Sequence, residues 1–148
     1  MTLTATGSDI EKPAYDIWRD SPLRLVGYAN ELGESFKPLI SVSLYRLSYA
    51  VAATYVVGDA QNKYFQNSRA VDGIDALVWQ GLASVAVPGF VINRIVWGVG
   101  RAVATTSSVP LKTWLPTVCG LSSIPFIVHP IDTGVHKAMD LTVRRLYE

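Results

Sequence analysis

From Asp75 to Arg94 the chain runs D-A-L-V-W-Q-G-L-A-S-V-A-V-P-G-F-V-I-N-R, eighteen residues without a formal charge between two charged ends. A hydrocarbon core roughly 30 Å thick needs about 20 mostly apolar helical residues at about 1.5 Å each. This pattern predicts a transmembrane helix over about 75–97, with Trp79 and Arg94 as residue types that settle at an interface. It extends towards Arg101, and Pro88-Gly89 predicts a kink. A core helix of a soluble domain is the alternative for such a run. A second span is predicted over about 39–57, apolar except for serines, Thr54 and Arg46. Its small residues Ser48, Ala50, Ala52 and Ala53 suit close helix contact in lipid. Gly58-Asp59 is predicted to stop it, and Gln61 to Asp72 to form a polar connection. The third apolar segment, Trp114 to Val128, is short and carries Pro116 and Pro125. With its flanks it reaches 112–130 and is taken as a crossing, a re-entrant element being the other option.

Two amphipathic helices are expected beside these spans. Ser21-Pro22 pairs an N-cap hydroxyl with a proline at the first helical position. The helix that follows places Leu25, Tyr28 or Ala29, Leu32 and Phe36 on one face, with Asn30, Glu31 and Glu34 elsewhere. It is expected on the membrane surface or against neighbouring helices. His129-Pro130 is expected to open a last helix, with Ile131, Val135, Met139 and Leu146 near one face and Arg144-Arg145 at its C-terminal end. The fold class is therefore an all-α membrane protein with about three transmembrane helices and flanking amphipathic helices. Residues 1–21 form an N-terminal arm, with Pro13 and Trp18 as docking points, and 22–148 a single helical membrane domain.

Composition supports that class. Of 148 residues, 49% are hydrophobic and 17% charged, against about 25% charged in a soluble domain. Net charge is +1, so no basic field points to nucleic acid. A single cysteine, Cys119, excludes an internal disulfide and a cysteine-rich metal site. The first twenty residues lack the apolar core of a secretory signal, and their acids outnumber their bases, unlike a mitochondrial presequence. Any organelle import is expected to use internal signals. Basic residues are slightly more numerous in the N-terminal flank and the connection after the second span, which favours an N-terminus in the matrix or cytosol.

Few residues offer chemistry. Arg46 falls inside an apolar span, where an arginine costs about 2.5–3.5 kcal/mol even on the translocon scale. It needs a partner such as Asp59, another subunit's carboxylate or a lipid phosphate. Asp59, Asn93, His129 and Asp132 complete the expected intramembrane or interfacial polar contacts. A Ser or Cys hydrolase built on Cys119, Ser122, Ser123, His129 and Asp132 lacks a nucleophile elbow. Asp132 and His136, spaced i and i+4, lack a third metal ligand. No cofactor and no metal are expected. Arg94, Arg101 and Lys112 are the charges between the second and third spans, flanked by Trp97 and Trp114. That combination suits a lipid head-group site, cardiolipin in particular.

Several phrases resemble the mitochondrial fission process protein 1 family. They include Arg24 with Gly27-Tyr28-Ala29-Asn30-Glu31, Leu47-Ser48-Tyr49, and Trp79-Gln80 through Pro88-Gly89-Phe90 to Ile92-Asn93-Arg94. His129-Pro130-Ile131-Asp132 and Leu146-Tyr147 complete the set, in order over about 24–147. The resemblance implies a non-enzymatic, multi-pass protein of the mitochondrial inner membrane, linked to fission and inner-membrane organisation. Its partners are expected to be membrane lipids and other inner-membrane proteins. An accessory subunit of a large complex, a respiratory complex or ATP synthase, is the alternative.

Overall fold

The computed structural model describes residues 15–147, and all of their regular structure is helical. Most of the expected arm, Pro13 included, lies outside the described residues. Three short helices come first: α1 (Ile17–Asp20), α2 (Arg24–Gly27) and α3 (Ala29–Phe36). The long helix α4 (Val42–Asn67) follows. Next, α5 (Ala70–Gln80), a π-helical turn (Gly81–Ala86) and α6 (Val87–Ala102) form one rod. Helix α7 (Val109–Leu141) leads to a final 3₁₀ turn at Arg144–Leu146.

Local chemistry sets the boundaries. The Asp16 carboxylate accepts from the Trp18 backbone N–H to cap α1, and Ser41 Oγ accepts from that of Leu44 to cap α4. The helix expected from Ser21-Pro22 is broken at Tyr28, the residue between α2 and α3. Helix α4 runs through Gly58-Asp59 instead of stopping there. The Asp59 carboxylate is buried and bonded within the fold, so it has no reason to seek water. The reversal comes at Ser68, which adopts φ 52°. Left-handed closure is a common helix ending, usually assigned to glycine. The expected polar connection is therefore mostly helix.

The disturbance expected at Pro88-Gly89 takes the form of the π turn just before it. Proline lacks an N–H and its ring crowds the carbonyl four residues back, and a widened turn relieves both. The expected break at His129-Pro130 is absent. Helix α7 continues through Pro116, Pro125 and Pro130 for 33 residues, or about 50 Å at 1.5 Å per residue. Prolines persist in such helices where neighbours or the membrane setting compensate the freed carbonyls.

Among the described residues, two stretches are long and apolar enough to cross a membrane, Ala70–Ala102 and Val109–Leu146. They match the second and third expected spans. Helix α4 has the length, but Arg46, Asp59, Lys63 and several tyrosines dilute its apolar character, and it is not among them.

Residues 17–37 run antiparallel to α4. Trp18 packs over Gly58, Gly27 faces the Tyr55 ring, and Glu34 meets Tyr45 and Tyr49. Helix α3 thereby touches α4, α6 and α7 at once. Its close approach needs small residues: a Cβ on Gly33 meets Ser48, and one on Gly120 lies 2.9 Å from both Ser35 Oγ and Val96. A separate apolar cluster of Trp79, Ala83, Val135 and Met139 joins the rod of α5 and α6 to α7.

The burial pattern is inverted relative to a water-soluble bundle. Asn30, Glu31, Glu34, Ser35, Asp59, Gln80, Ser84 and Thr117 are buried, whereas Leu25 and Leu32 are exposed. The face of α3 that carries Asn30, Glu31 and Glu34, off the apolar stripe, is the one that packs inward. Outside, Phe126 is 78% exposed, Phe90 66% and Leu47 56%. In water both halves of this pattern are costly, since charged side chains are seldom fully buried and large exposed apolar surfaces are rare. Surrounded by hydrocarbon, the same arrangement keeps polar groups among themselves and apolar side chains in their preferred solvent.

Candidate functional site: a buried polar core and a basic groove

The polar core begins at Glu34 on α3. Its Oε1 accepts hydrogen bonds from the hydroxyls of Tyr45 (2.6 Å) and Tyr49 (2.5 Å), and its Oε2 from Asn93 Nδ2 (2.8 Å). One carboxyl thus ties α3 to α4 and α6. One turn earlier, Asn30 Nδ2 donates to the Val85 carbonyl in the π turn at 3.1 Å. A second hub is Asp59, which accepts from Lys63 Nζ at 2.5 Å and Gln80 Nε2 at 2.8 Å. Gln80 in turn accepts from Ser84 Oγ, and Lys63 also reaches Asp16 at 2.8 Å.

The third hub is Arg24, whose Nη2 donates to Asp132 Oδ2 at 2.5 Å and whose Nε donates to the Tyr28 hydroxyl. Glu31 lies beside this pair, fully buried, and neither of its carboxyl oxygens has a hydrogen-bond partner among the described residues. Burial pushes its carboxyl up to about 8; the nearby Arg24 charge opposes the rise and Asp132 adds to it. Near the chain end, Arg144 bonds Asp75 at 2.7 and 2.9 Å, and the Tyr147 hydroxyl donates to Asp75 at 2.8 Å.

Among the expected polar contacts, Asp59, Asn93 and Asp132 all fall in this network. His129 is exposed, without a side-chain hydrogen bond among the described residues. The expected Arg46–Asp59 pair is not formed. The two residues are thirteen apart on one helix, about 20 Å along its axis, and Asp59 is already engaged. Arg46 is exposed and has no carboxylate within ion-pair distance among the described residues.

The expected head-group residues divide. Arg94, Trp97 and Arg101 share an open groove of about 450 Å³ with Lys37, Asn93 and Gly100. The guanidinium carbons of Arg94 and Arg101 lie 5.4 and 5.1 Å from the Trp97 ring centre. Lys37 Nζ lies over the Tyr45 ring at 4.6 Å. Lys112 and Trp114 are exposed on the first turns of α7 and do not line the groove.

Sequence reasoning missed Asn30, Glu31, Glu34, Gln80, Ser84 and Lys37. A signal was present. Asn30, Glu31, Glu34 and Ser35 fall at i, i+1, i+4 and i+5, interleaved with Gly27 and Gly33. In a chain of membrane composition, a stripe of polar and small residues is the packing face.

The geometry defines a small all-helical bundle with a polar interior and two rods of membrane-crossing length. The chain belongs to the family described as Mitochondrial 18 KDa protein (MTP18), whose model matches residues 18–76 and 61–139. The mitochondrial fission process protein 1 of Danio rerio is 41% identical over 95% of this chain and 93% of its own length. The Caenorhabditis briggsae protein of that name is 40% identical over 95% of both chains, and the human one 40% identical over 89% and 88%. No solved structure matches.

Proposed function

We propose that this protein acts in mitochondrial fission as a non-catalytic, multi-pass component of the inner membrane, organising it through helix packing and lipid contacts. Inverted burial is the observation that carries the membrane reading: carboxyls and amides are sequestered where α3 meets α4, α6 and α7, and leucines and phenylalanines face outward. About 40% identity to proteins named for the fission process supports the process. In this reading α4 is the third crossing. It lies antiparallel to residues 17–37, packs on α5 and presents Val42, Leu44, Leu47, Val51 and Val57 outward. Its charged Asp59 is compensated by Lys63 and Gln80, as a group in hydrocarbon must be.

The test combines fractionation with morphology. The protein is expected in the carbonate-resistant fraction of mitoplasts stripped of outer membrane. Cells lacking it are expected to show elongated mitochondria that re-expression shortens. Recovery in the carbonate supernatant would overturn the membrane placement, and an unchanged network would overturn the fission role. Co-migration with a respiratory complex on blue-native gels would replace this reading with that of an accessory subunit.

A further inference from the structure

We propose that the groove formed by Lys37, Arg94 and Arg101 around Trp97 binds the phosphate of an anionic phospholipid. Arg94 and Arg101 are seven residues apart, two helical turns, so they project from one side of α6 with Trp97 between them. Both guanidinium groups lie against that ring, and stacking preorganises their planar donor forks. The loop after α3 brings Lys37 to the same groove. Gly100 also lines the groove, which is open at its side.

Three cations here face very little negative charge. Arg94 donates to the neutral Asn93 amide at 2.5 and 3.2 Å. Among the described residues, no carboxylate lies within ion-pair distance of Arg94 or Arg101. Lys37 reaches Glu34 only at 3.9 Å, and that carboxyl is buried and already takes three shorter hydrogen bonds. Elsewhere the partly buried cations are matched: Arg24 to Asp132, Lys63 to Asp59 and Asp16, Arg144 to Asp75 and Asp140. Other cations, Arg46 and Lys112 among them, also stand without a carboxylate partner among the described residues, but Arg94 and Arg101 share one tryptophan ring and one groove with Lys37, in one place.

That place is the end of the rod Ala70–Ala102, where a crossing helix leaves hydrocarbon and meets head groups. Tryptophan and arginine favour that level, and basic pockets between spans take phosphate-bearing head groups. Arginine forks match phosphate oxygens two at a time. The side of the same helix that carries the exposed Phe90 and the half-buried Val91 then offers a track for acyl chains. The assignment rests on the membrane reading above and deepens it. It also revises the expected residue set, because Lys37 joins Arg94, Arg101 and Trp97 while Lys112 and Trp114 stand outside.

The experiment uses the full chain in detergent, titrated with cardiolipin and with phosphatidylcholine and read by native mass spectrometry. Cardiolipin is expected to be retained about tenfold better than phosphatidylcholine. The variant combining Lys37→Gln, Arg94→Gln and Arg101→Gln is expected to lose that preference, and Lys112→Gln to keep it. Arg101→Gln alone, at an exposed position, is expected to lose part of it while circular dichroism stays helical. Equal retention of cardiolipin by the parent and both groove variants, or no preference in the parent, would overturn the site. Displacement of cardiolipin by glycerol 3-phosphate at matched concentration would overturn the lipid assignment in favour of a soluble phosphate ester. A carbonate-soluble parent would instead sink the membrane reading, which separates the two failures.

Discussion

Glu34→Ala is expected to abolish the cooperative thermal unfolding of the detergent-solubilised protein. The substitution leaves the Tyr45 and Tyr49 hydroxyls and the Asn93 amide without their acceptor, where α3, α4 and α6 meet. A fully buried donor left unpaired costs about 1–3 kcal/mol. These three are half-buried, so together they cost on the order of 3–5 kcal/mol, a large part of the total stability of many domains, about 5–15 kcal/mol. Glu34→Gln keeps one carbonyl acceptor and is expected to retain a cooperative transition at lower temperature. Tryptophan fluorescence follows both variants, since Trp18, Trp79, Trp97 and Trp114 are spread over the bundle. An alanine variant melting at the parent's temperature would show that Glu34 is not a hub of the fold.

The second large effect is a pH dependence carried by Glu31. Its carboxyl is fully buried and unpaired, with a folded value of about 8 against an ordinary 4.5. A carboxyl raised in this way binds its proton more tightly when folded than when unfolded. Its contribution to stability is therefore fully retained below pH 4.5, declines as pH rises through the window to about 8, and is constant above it. The slope is about 1.4 kcal/mol per pH unit, so the whole window is worth a few kcal/mol. Glu31→Gln keeps the shape and removes the charge. Its melting temperature is expected to match the parent's near pH 5 and to exceed it by several degrees at pH 8. Arg24 and Asp132 remain as the neighbouring charges in both proteins, so the difference isolates Glu31. Parallel melting curves across that range would refute the assignment.

The long apolar runs were legible because length and lack of charge are properties of the sequence itself. The run from Asp75 to Arg94 and the segment after Lys112 both appear within helices of crossing length. The ends of the helices were not legible. Gly58-Asp59 and His129-Pro130 are stop signals when a chain end can reach water. Here Asp59 finds Lys63 one turn on, and Pro130 lies inside a continuous helix. Arg94, Trp97 and Arg101 stand out in the sequence as basic and aromatic residues beyond an apolar run, but Lys112 and Trp114 stand out by the same feature and lie outside the groove. Lys37 could not be read, because only the docking of α3 against α6 brings it there. Glu31 and Glu34 fall off the apolar face of an amphipathic helix, a pattern that does not by itself say which face packs. The same pattern in an apolar solvent turns inward.

The central claim is that the bundle is turned inside out for a lipid environment, with α4 as one of its crossings. Single cysteines at Val51, Phe90 and Phe126, in a Cys119→Ser background, test it after reconstitution into liposomes. All three parent side chains point outward, on α4, α6 and α7 respectively. The measurement is their labelling by a membrane-impermeant maleimide, with cysteines at the exposed Lys112 and Asp140 as controls. The inside-out bundle predicts fast labelling in intact liposomes at whichever of 112 and 140 faces outward, labelling of the other once detergent opens the liposomes, and none at 51, 90 and 126 until the chain is denatured. Labelling of all five positions at equal rates in intact liposomes would contradict it.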